Sequence, residues 1–276
     1  MYLRYPLLFT FCLLMLPRIA HAELSYIGSA TIGTGILNAG AVEAFRGKTG
    51  KRFTSVQIPG SGIGIEGLIA GDTDLAGVSR PLKPEEKRLG LTSTIIGYDA
   101  IAVFVHAKNP VRNVSRKELK GIFTGRITNW QQVGGISAPI APTTEIHLRK
   151  RATGEIFREI VMDGEKYGDF SQVDLPRDQL LQLANAPNGI CTASIAFVAS
   201  LPAKVRKNIK AISVNGIEPS ERNVRSGAYP ICRPLLLVTK GNPKGDAGAF
   251  VRFLLSPEGQ RIVGRNFIPI KEKMGR

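Results

Sequence analysis

The sequence predicts an α/β architecture: a mainly parallel sheet covered by helices and divided into two lobes. Two observations predict the layers. From Leu24 onward short β-rich runs alternate with helical ones, and no stretch has the low complexity of a disordered linker. A third observation, length, predicts the two lobes. Met1-Tyr2-Leu3-Arg4, an apolar run from Tyr5 to Pro17 and the small-x-small triplet Ala20-His21-Ala22 read as a cleavable secretory signal over residues 1–22. Removing those 22 residues from 276 leaves 254, enough for two modest cores at about 100–150 residues per domain.

The elements follow in order. Strands are expected at Leu24–Gly28, Phe53–Ile58, Asp74–Val78 and over the long run Thr94–His106. Between them, Leu37, Ala41, Ala44 and Phe45 are spaced for one apolar helix face with Thr34 as N-cap, Ile63–Ala70 forms a second helix, and Pro84-Glu85-Glu86 starts a third. In the second half, helices are expected at Ser115–Thr124, Thr153–Val161 and Arg177–Ala184, and strands at Ile140–Leu148, Gly189–Val198, Ile209–Val214 and Ile231–Thr239. A basic helix near Lys204 precedes the third of these strands, and helices at Ala247–Leu255 and Glu258–Arg265 close the chain.

Charge and cysteines narrow the function classes. The formal charge is +15, and the signal segment carries two arginines and no acid, so the mature chain from Glu23 carries +13. Export and the absence of aromatics interleaved with the basic clusters argue against nucleic acid as partner. Cys12 lies inside the apolar run rather than after a small-residue cleavage site, so a soluble product without a lipid anchor is expected. Two cysteines remain, Cys191 and Cys232. In an oxidising compartment a bridge and a pair of buried thiols are equally compatible with their spacing. His106 and His147 belong to no recognisable nucleophile motif, and His and Cys are too scattered for a metal site. No catalytic residue, cofactor or metal is therefore assigned.

Three loops share a pattern in which a strand ends, hydroxyl and glycine residues follow, and a helix begins: Gly28-Ser29-Ala30-Thr31-Ile32-Gly33-Thr34, Pro59-Gly60-Ser61-Gly62-Ile63-Gly64, and Arg151-Ala152-Thr153-Gly154. A helix start offers unpaired N–H groups and a partial positive charge, glycine admits close approach, and hydroxyls add donors that follow the oxygens of a tetrahedral ion. A simple N-cap role for each hydroxyl is the competing reading. The glycine spacing fits neither a P-loop nor a dinucleotide fingerprint.

These residues resemble the phosphate-binding proteins of periplasmic ABC importers. Gly28-Ser29-Ala30-Thr31, Gln57 to Ser61 and Asp74-Leu75-Ala76-Gly77-Val78-Ser79-Arg80 are similar to three phosphate loops of that family, and Gly97-Tyr98-Asp99-Ala100-Ile101-Ala102-Val103 to its first crossover strand. Ile122-Phe123-Thr124-Gly125, Ile127-Thr128-Asn129-Trp130, Ser226-Gly227-Ala228-Tyr229-Pro230 with Arg233-Pro234-Leu235, and Leu255-Ser256-Pro257-Glu258-Gly259-Gln260 extend the resemblance to nearly the whole mature chain. It implies a class II periplasmic-binding fold with two crossover strands. Residues 23–103 and 232–276 would form one lobe and residues 104–231 the other, with the ligand in the cleft.

The resemblance makes Thr31, Ser61 and Ser79 pocket hydroxyls and Ile32 a backbone donor. Where the family has an arginine and then Ser-Gly-Thr, this chain has Arg151-Ala152-Thr153, so Arg149 or Arg151 is expected to supply a charged fork beside Thr153. Arg151 pointing into solvent, or filling the cleft, stays open. The implied function is capture of phosphate, or a similar tetrahedral oxyanion, by a monomer that presents it to the membrane permease of an ABC importer. A receptor for sulfate or molybdate, an exported phosphate-ester hydrolase and an interaction protein with a degenerate cleft are the alternatives.

Overall fold

The computed structural model describes residues 23–146 and 152–270. The signal segment, His147, Arg149 and Arg151 lie outside the described residues. Along the sheet the strands run β2 (Arg52–Gln57), β1 (Glu23–Gly28), β3 (Leu75–Val78), β10 (Cys232–Lys240), β4 (Leu91–His106), β8 (Gly189–Ser194), β6 (Ala141–Glu145) and β7 (Ser171–Val173). β1 pairs in parallel with β2 and β3, and β6 in parallel with β7 and β8, which is the helix-crossover arrangement the alternation predicts.

The long strand β4 joins the two halves. Its first part, Leu91 to Ala100, pairs antiparallel with β10, and its second part, from Ile101, pairs with β8 and with β9 (Ile209–Val214). Beside the switch the chain crosses a second time: the Ile101 N–H donates to the Ile231 carbonyl (2.9 Å), and the Tyr229 hydroxyl donates to the Ile101 carbonyl (3.0 Å). Two passages side by side connect the halves along one line, the geometry of a hinge.

Each half has its own core. Leu24, Tyr26, Ile36, Leu37 and Phe45 pack with Phe250, Phe253 and Leu254, with Phe45 edge-on to Phe250 at 5.1 Å between ring centroids. The other core gathers Val103, Leu119, Phe123, Trp130 and Phe157. The Trp130 indole donates to the Asn188 carbonyl (3.0 Å), so this motif residue holds the fold together.

Several boundaries differ from the sequence reading for local reasons. The first helical stretch starts at Ala30, not Thr34: α1 (Ala30–Ile32) runs on through the wide-turned segment Gly33–Ala41, where Gly40 takes φ 120°, into α2 (Val42–Thr49). The expected strand Gly189–Val198 ends at Ser194, because the Ser194 hydroxyl accepts from the Ala196 N–H and turns the chain into α8 (Ala196–Ala199). The expected strand Ile140–Leu148 is β6, Ala141–Glu145.

Cys191 and Cys232 are free thiols. Cys191 pairs with Phe104 and Cys232 with Ala100 on opposite sides of β4, so a whole strand stands between them and a bridge is geometrically excluded. Burial pushes the Cys191 thiol above its ordinary range. His106, at the end of β4, accepts the Lys108 N–H on Nδ1 (3.2 Å), a turn contact.

Candidate functional site

The first lobe's half of the site is assembled by strand ends that approach more closely than side chains would permit. A Cβ at Gly28 would overlap the Gly77 backbone, and one at Gly64 would meet the Ile27 carbonyl at 2.5 Å. Three strand-to-helix loops therefore converge: Ser29 N–H donates to the Gly77 carbonyl (2.8 Å) and Gly60 N–H to the Gly28 carbonyl (3.0 Å). Gly60 takes φ 134°, a conformation that favours glycine, and turns β2 into α3 (Ser61–Ala70). Tyr26 lies across Gly77 and its hydroxyl donates to the Ser29 carbonyl (3.0 Å), fixing the first loop from below.

Thr31, Ser61 and Ser79 come together as the sequence predicts, all buried, and Ile32 sits in the same first helical turn with its side chain in the core. The Ser79 N–H donates to Ser61 Oγ (3.2 Å), which leaves the Ser61 hydrogen for another acceptor. Ser79 Oγ lies 2.8 Å from Ser29 Oγ. From the other lobe come Thr153, in the first turn of α6 (Ala152–Ile160), and Glu145, at the end of β6. Ser29, Thr31, Ser61, Ser79, Glu145 and Thr153 line one small cavity between the lobes, with Gly60, Ala30, Ala152 and Pro176.

The sequence reading places the cation at Arg149 or Arg151, which lie outside the described residues. The structure brings a different arginine to the site. Arg233, on β10, is fully buried; its Nη2 donates to Thr31 Oγ1 and its Nη1 to Thr153 Oγ1, both at 3.0 Å. Its Nε and Nη2 also donate to Asp99 Oδ2 (3.0 and 2.9 Å), and Ser194 Oγ donates to Asp99 Oδ1 (2.7 Å). Burial pushes the Asp99 carboxyl up from its ordinary range, while Arg233 and Ser194 pull it down.

A signal for this pair exists in the sequence: each of the two long apolar runs Thr94–His106 and Ile231–Thr239 carries one charge, Asp99 in one and Arg233 in the other. A charge buried in an apolar strand requires a partner. The resemblance places Asp99 and Tyr229 in crossover motifs; Tyr229 bonds within the fold, to the Ile101 carbonyl, whereas Asp99 stands directly beneath the site, on Arg233.

A second link crosses the cleft at its edge. Arg80, which follows Ser79, makes two bonds to Glu86 (2.8 and 2.7 Å) and reaches Glu155 of α6 through Nε (3.2 Å); Lys83 Nζ lies 3.3 Å from the same carboxylate. The lobes are thus held together by two arginines, one at the floor of the cavity and one at its rim. A small cavity lined by hydroxyls and helix starts suits a compact oxyanion.

The fold and this site define a two-lobed solute-binding protein with an anion-type cleft. A family model described as a PBP superfamily domain matches residues 21–258. The chain belongs to that superfamily and, within it, to the phosphate-binding-protein family of ABC importers. Among solved structures, a phosphate ABC transporter substrate-binding protein of Clostridium perfringens with bound phosphate is similar at 31% identity and a TM-score of 0.81, over 91% of this chain and 100% of that one. An ABC-type phosphate transport receptor from Vibrio cholerae shares the fold at 24% identity and a TM-score of 0.76, over 90% and 100%. The phosphate-binding protein PstS of Bacillus subtilis is 26% identical over 258 residues, which is 92% of this chain and 82% of the relative.

Proposed function

We propose that this protein captures phosphate in the cleft between its lobes and presents it to the membrane permease of an ABC importer. One observation carries the reading: Arg233 holds Thr31 of one lobe and Thr153 of the other at 3.0 Å each, over a cavity lined by Ser61 and Ser79. Those donors suit the oxygens of a tetrahedral anion, and the C. perfringens relative has phosphate bound. Arg149 and Arg151 remain proposed contributors, beside Thr153. We place residues 23–103 with 232–276 in one lobe and 104–231 in the other; the two apolar cores support two lobes, with Ala100, Ile101, Val103 and Ile268 packed on the second core and Ala196 on the first. Cleavage after residue 22, a periplasmic location without a lipid anchor, and a monomeric receptor complete the proposal. Among the described residues no helix is long and apolar enough to cross a membrane.

Phosphate is favoured over sulfate or molybdate by Glu145. The first-lobe wall carries hydroxyls, Ser79 among them, and no carboxylate, yet the cavity has a carboxylate from the opposite lobe. A carboxylate accepts the proton of hydrogen phosphate and opposes a fully deprotonated anion, which offers lone pairs alone. Thermal unfolding of the mature chain with phosphate, sulfate, molybdate and no anion tests the reading. A ligand at 100 times its Kd adds about 2.7 kcal/mol; phosphate is expected to raise Tm most, and no shift with phosphate would sink the proposal.

A further inference from the structure

We propose that Arg233 is a positioning residue: it turns the hydroxyls of Thr31 and Thr153 into obligate donors toward the bound anion, and so ties anion capture to closure of the lobes. The inference rests on the phosphate reading above and adds how the pocket acquires its polarity.

A guanidinium has five N–H donors and no acceptor. Four are placed: Nε and one Nη2 hydrogen on Asp99 Oδ2, the other Nη2 hydrogen on Thr31 Oγ1, and one Nη1 hydrogen on Thr153 Oγ1. A threonine hydroxyl has one hydrogen and two lone pairs. Once an arginine N–H occupies a lone pair, the hydroxyl hydrogen must point away from the arginine. Both threonines also line the cavity, so that hydrogen is available to an anion oxygen. A freely rotating hydroxyl could equally present its lone pairs, which repel the anion.

Position makes this arrangement depend on closure. Arg233 and Asp99 face each other in the β10–β4 register, at the strands where the lobes join, and Ser194 braces Asp99 from β8. The ion pair can stay in place while the lobes move. Thr31 opens a helix of one lobe and Thr153 lies in the first turn of α6 in the other, so the guanidinium holds both only when the cleft is shut. Two oriented donors on opposite walls are therefore a property of the closed form. Lysine at this place would keep the charge but, as a single ammonium, could not span Asp99 and two threonines.

Isothermal titration of inorganic phosphate into the mature chain tests this with wild type, R233K, T153V and R233K/T153V. Thr153→Val is expected to weaken wild-type binding about tenfold or more, the scale of one hydrogen bond to a charged group, but the R233K background by less than about threefold, because its hydroxyl is already free to turn. R233K alone is expected to lose affinity despite its charge. Wild-type affinity in R233K, or losses that simply multiply in the double variant, would overturn the inference. Should R233K lack a cooperative melt, D99N/R233M takes its place in the same cycle, since it leaves no buried charge unpaired, and is judged by the same multiplication. Absence of phosphate binding by wild type would sink the functional reading and this inference with it; wild-type binding with multiplying losses sinks this inference alone.

Discussion

Glu155 reaches across the cleft to Arg80: the carboxylate on α6 accepts from Arg80 Nε at 3.2 Å while the same guanidinium is gripped by Glu86 within its own lobe. The Arg80 side chain is 5% exposed and that of Glu155 27%, so the pair is sheltered only on one side and its worth is modest. It joins the two lobes without lining the cavity, so its removal is expected to act on closure rather than on the anion contacts.

Glu155→Gln is therefore expected to raise the phosphate Kd by up to about fivefold, the equivalent of roughly 1 kcal/mol for a partly exposed ion pair. The loss should shrink at high salt, where wild type loses the same contribution. Titration calorimetry at low and high salt checks this, and an unchanged Kd at low salt would remove Glu155 from the closure mechanism.

Glu86 offers a prediction of stability and its pH dependence. Burial alone would raise its carboxyl, but hydrogen bonds from Arg80 and from the Lys83 N–H hold it below the ordinary carboxylate range. Removing one partner of a buried pair costs about 3–5 kcal/mol, so Glu86→Gln should lower stability by roughly 3 kcal/mol at pH 7. Because the folded group titrates lower than the unfolded one, this contribution is complete above the ordinary carboxylate range and is lost as pH falls through its folded value. The melting curves of variant and wild type should converge in acid; a gap independent of pH would contradict the assignment.

The first-lobe hydroxyls should matter for both the anion and the fold. Ser61→Ala and Thr31→Ala are each expected to weaken phosphate binding about tenfold or more, the scale of a charge-assisted hydrogen bond, and to lower ligand-free stability by about 1–3 kcal/mol, because the buried Ser79 N–H or Arg233 N–H loses its acceptor. If calorimetry finds unchanged affinity in both, the hydroxyls of this wall do not touch the anion.

Gly77→Ala probes the close approach beneath the site. A Cβ there would overlap the Tyr26 hydroxyl, which now donates to the Ser29 carbonyl at 3.0 Å. Overpacking of this kind costs about 1–3 kcal/mol, and displacement of Tyr26 would loosen the loop that carries Thr31. Both a lower Tm and weaker phosphate binding are expected. Tyr26→Phe, which spares the space but removes the donor, should lose binding with a smaller change in Tm.

The residues alone determined the α/β layers and the hydroxyl-glycine loops of the first-lobe wall, for a common reason, while the two crossover passages followed from the family resemblance. Strand-helix alternation, and a hydroxyl-glycine loop where a strand turns into a helix, are local properties written in consecutive residues. Thr31, Ser61 and Thr153 were legible in this way, each in the first turn of a helix, and Ser79 through the resemblance of Asp74–Arg80 to a phosphate loop. The charge at the floor of the cleft was not. Asp99 and Arg233 lie 134 positions apart, and only the antiparallel register of β4 and β10 sets them face to face beneath the two threonines. A charge in an apolar strand announces that it must find a partner, but which partner, and which hydroxyls it orients, depends on how the strands pair and the lobes meet. The same dependence decided the cysteines: Cys191 and Cys232 had a spacing open to a bridge, and the strand that folds between them keeps both as thiols.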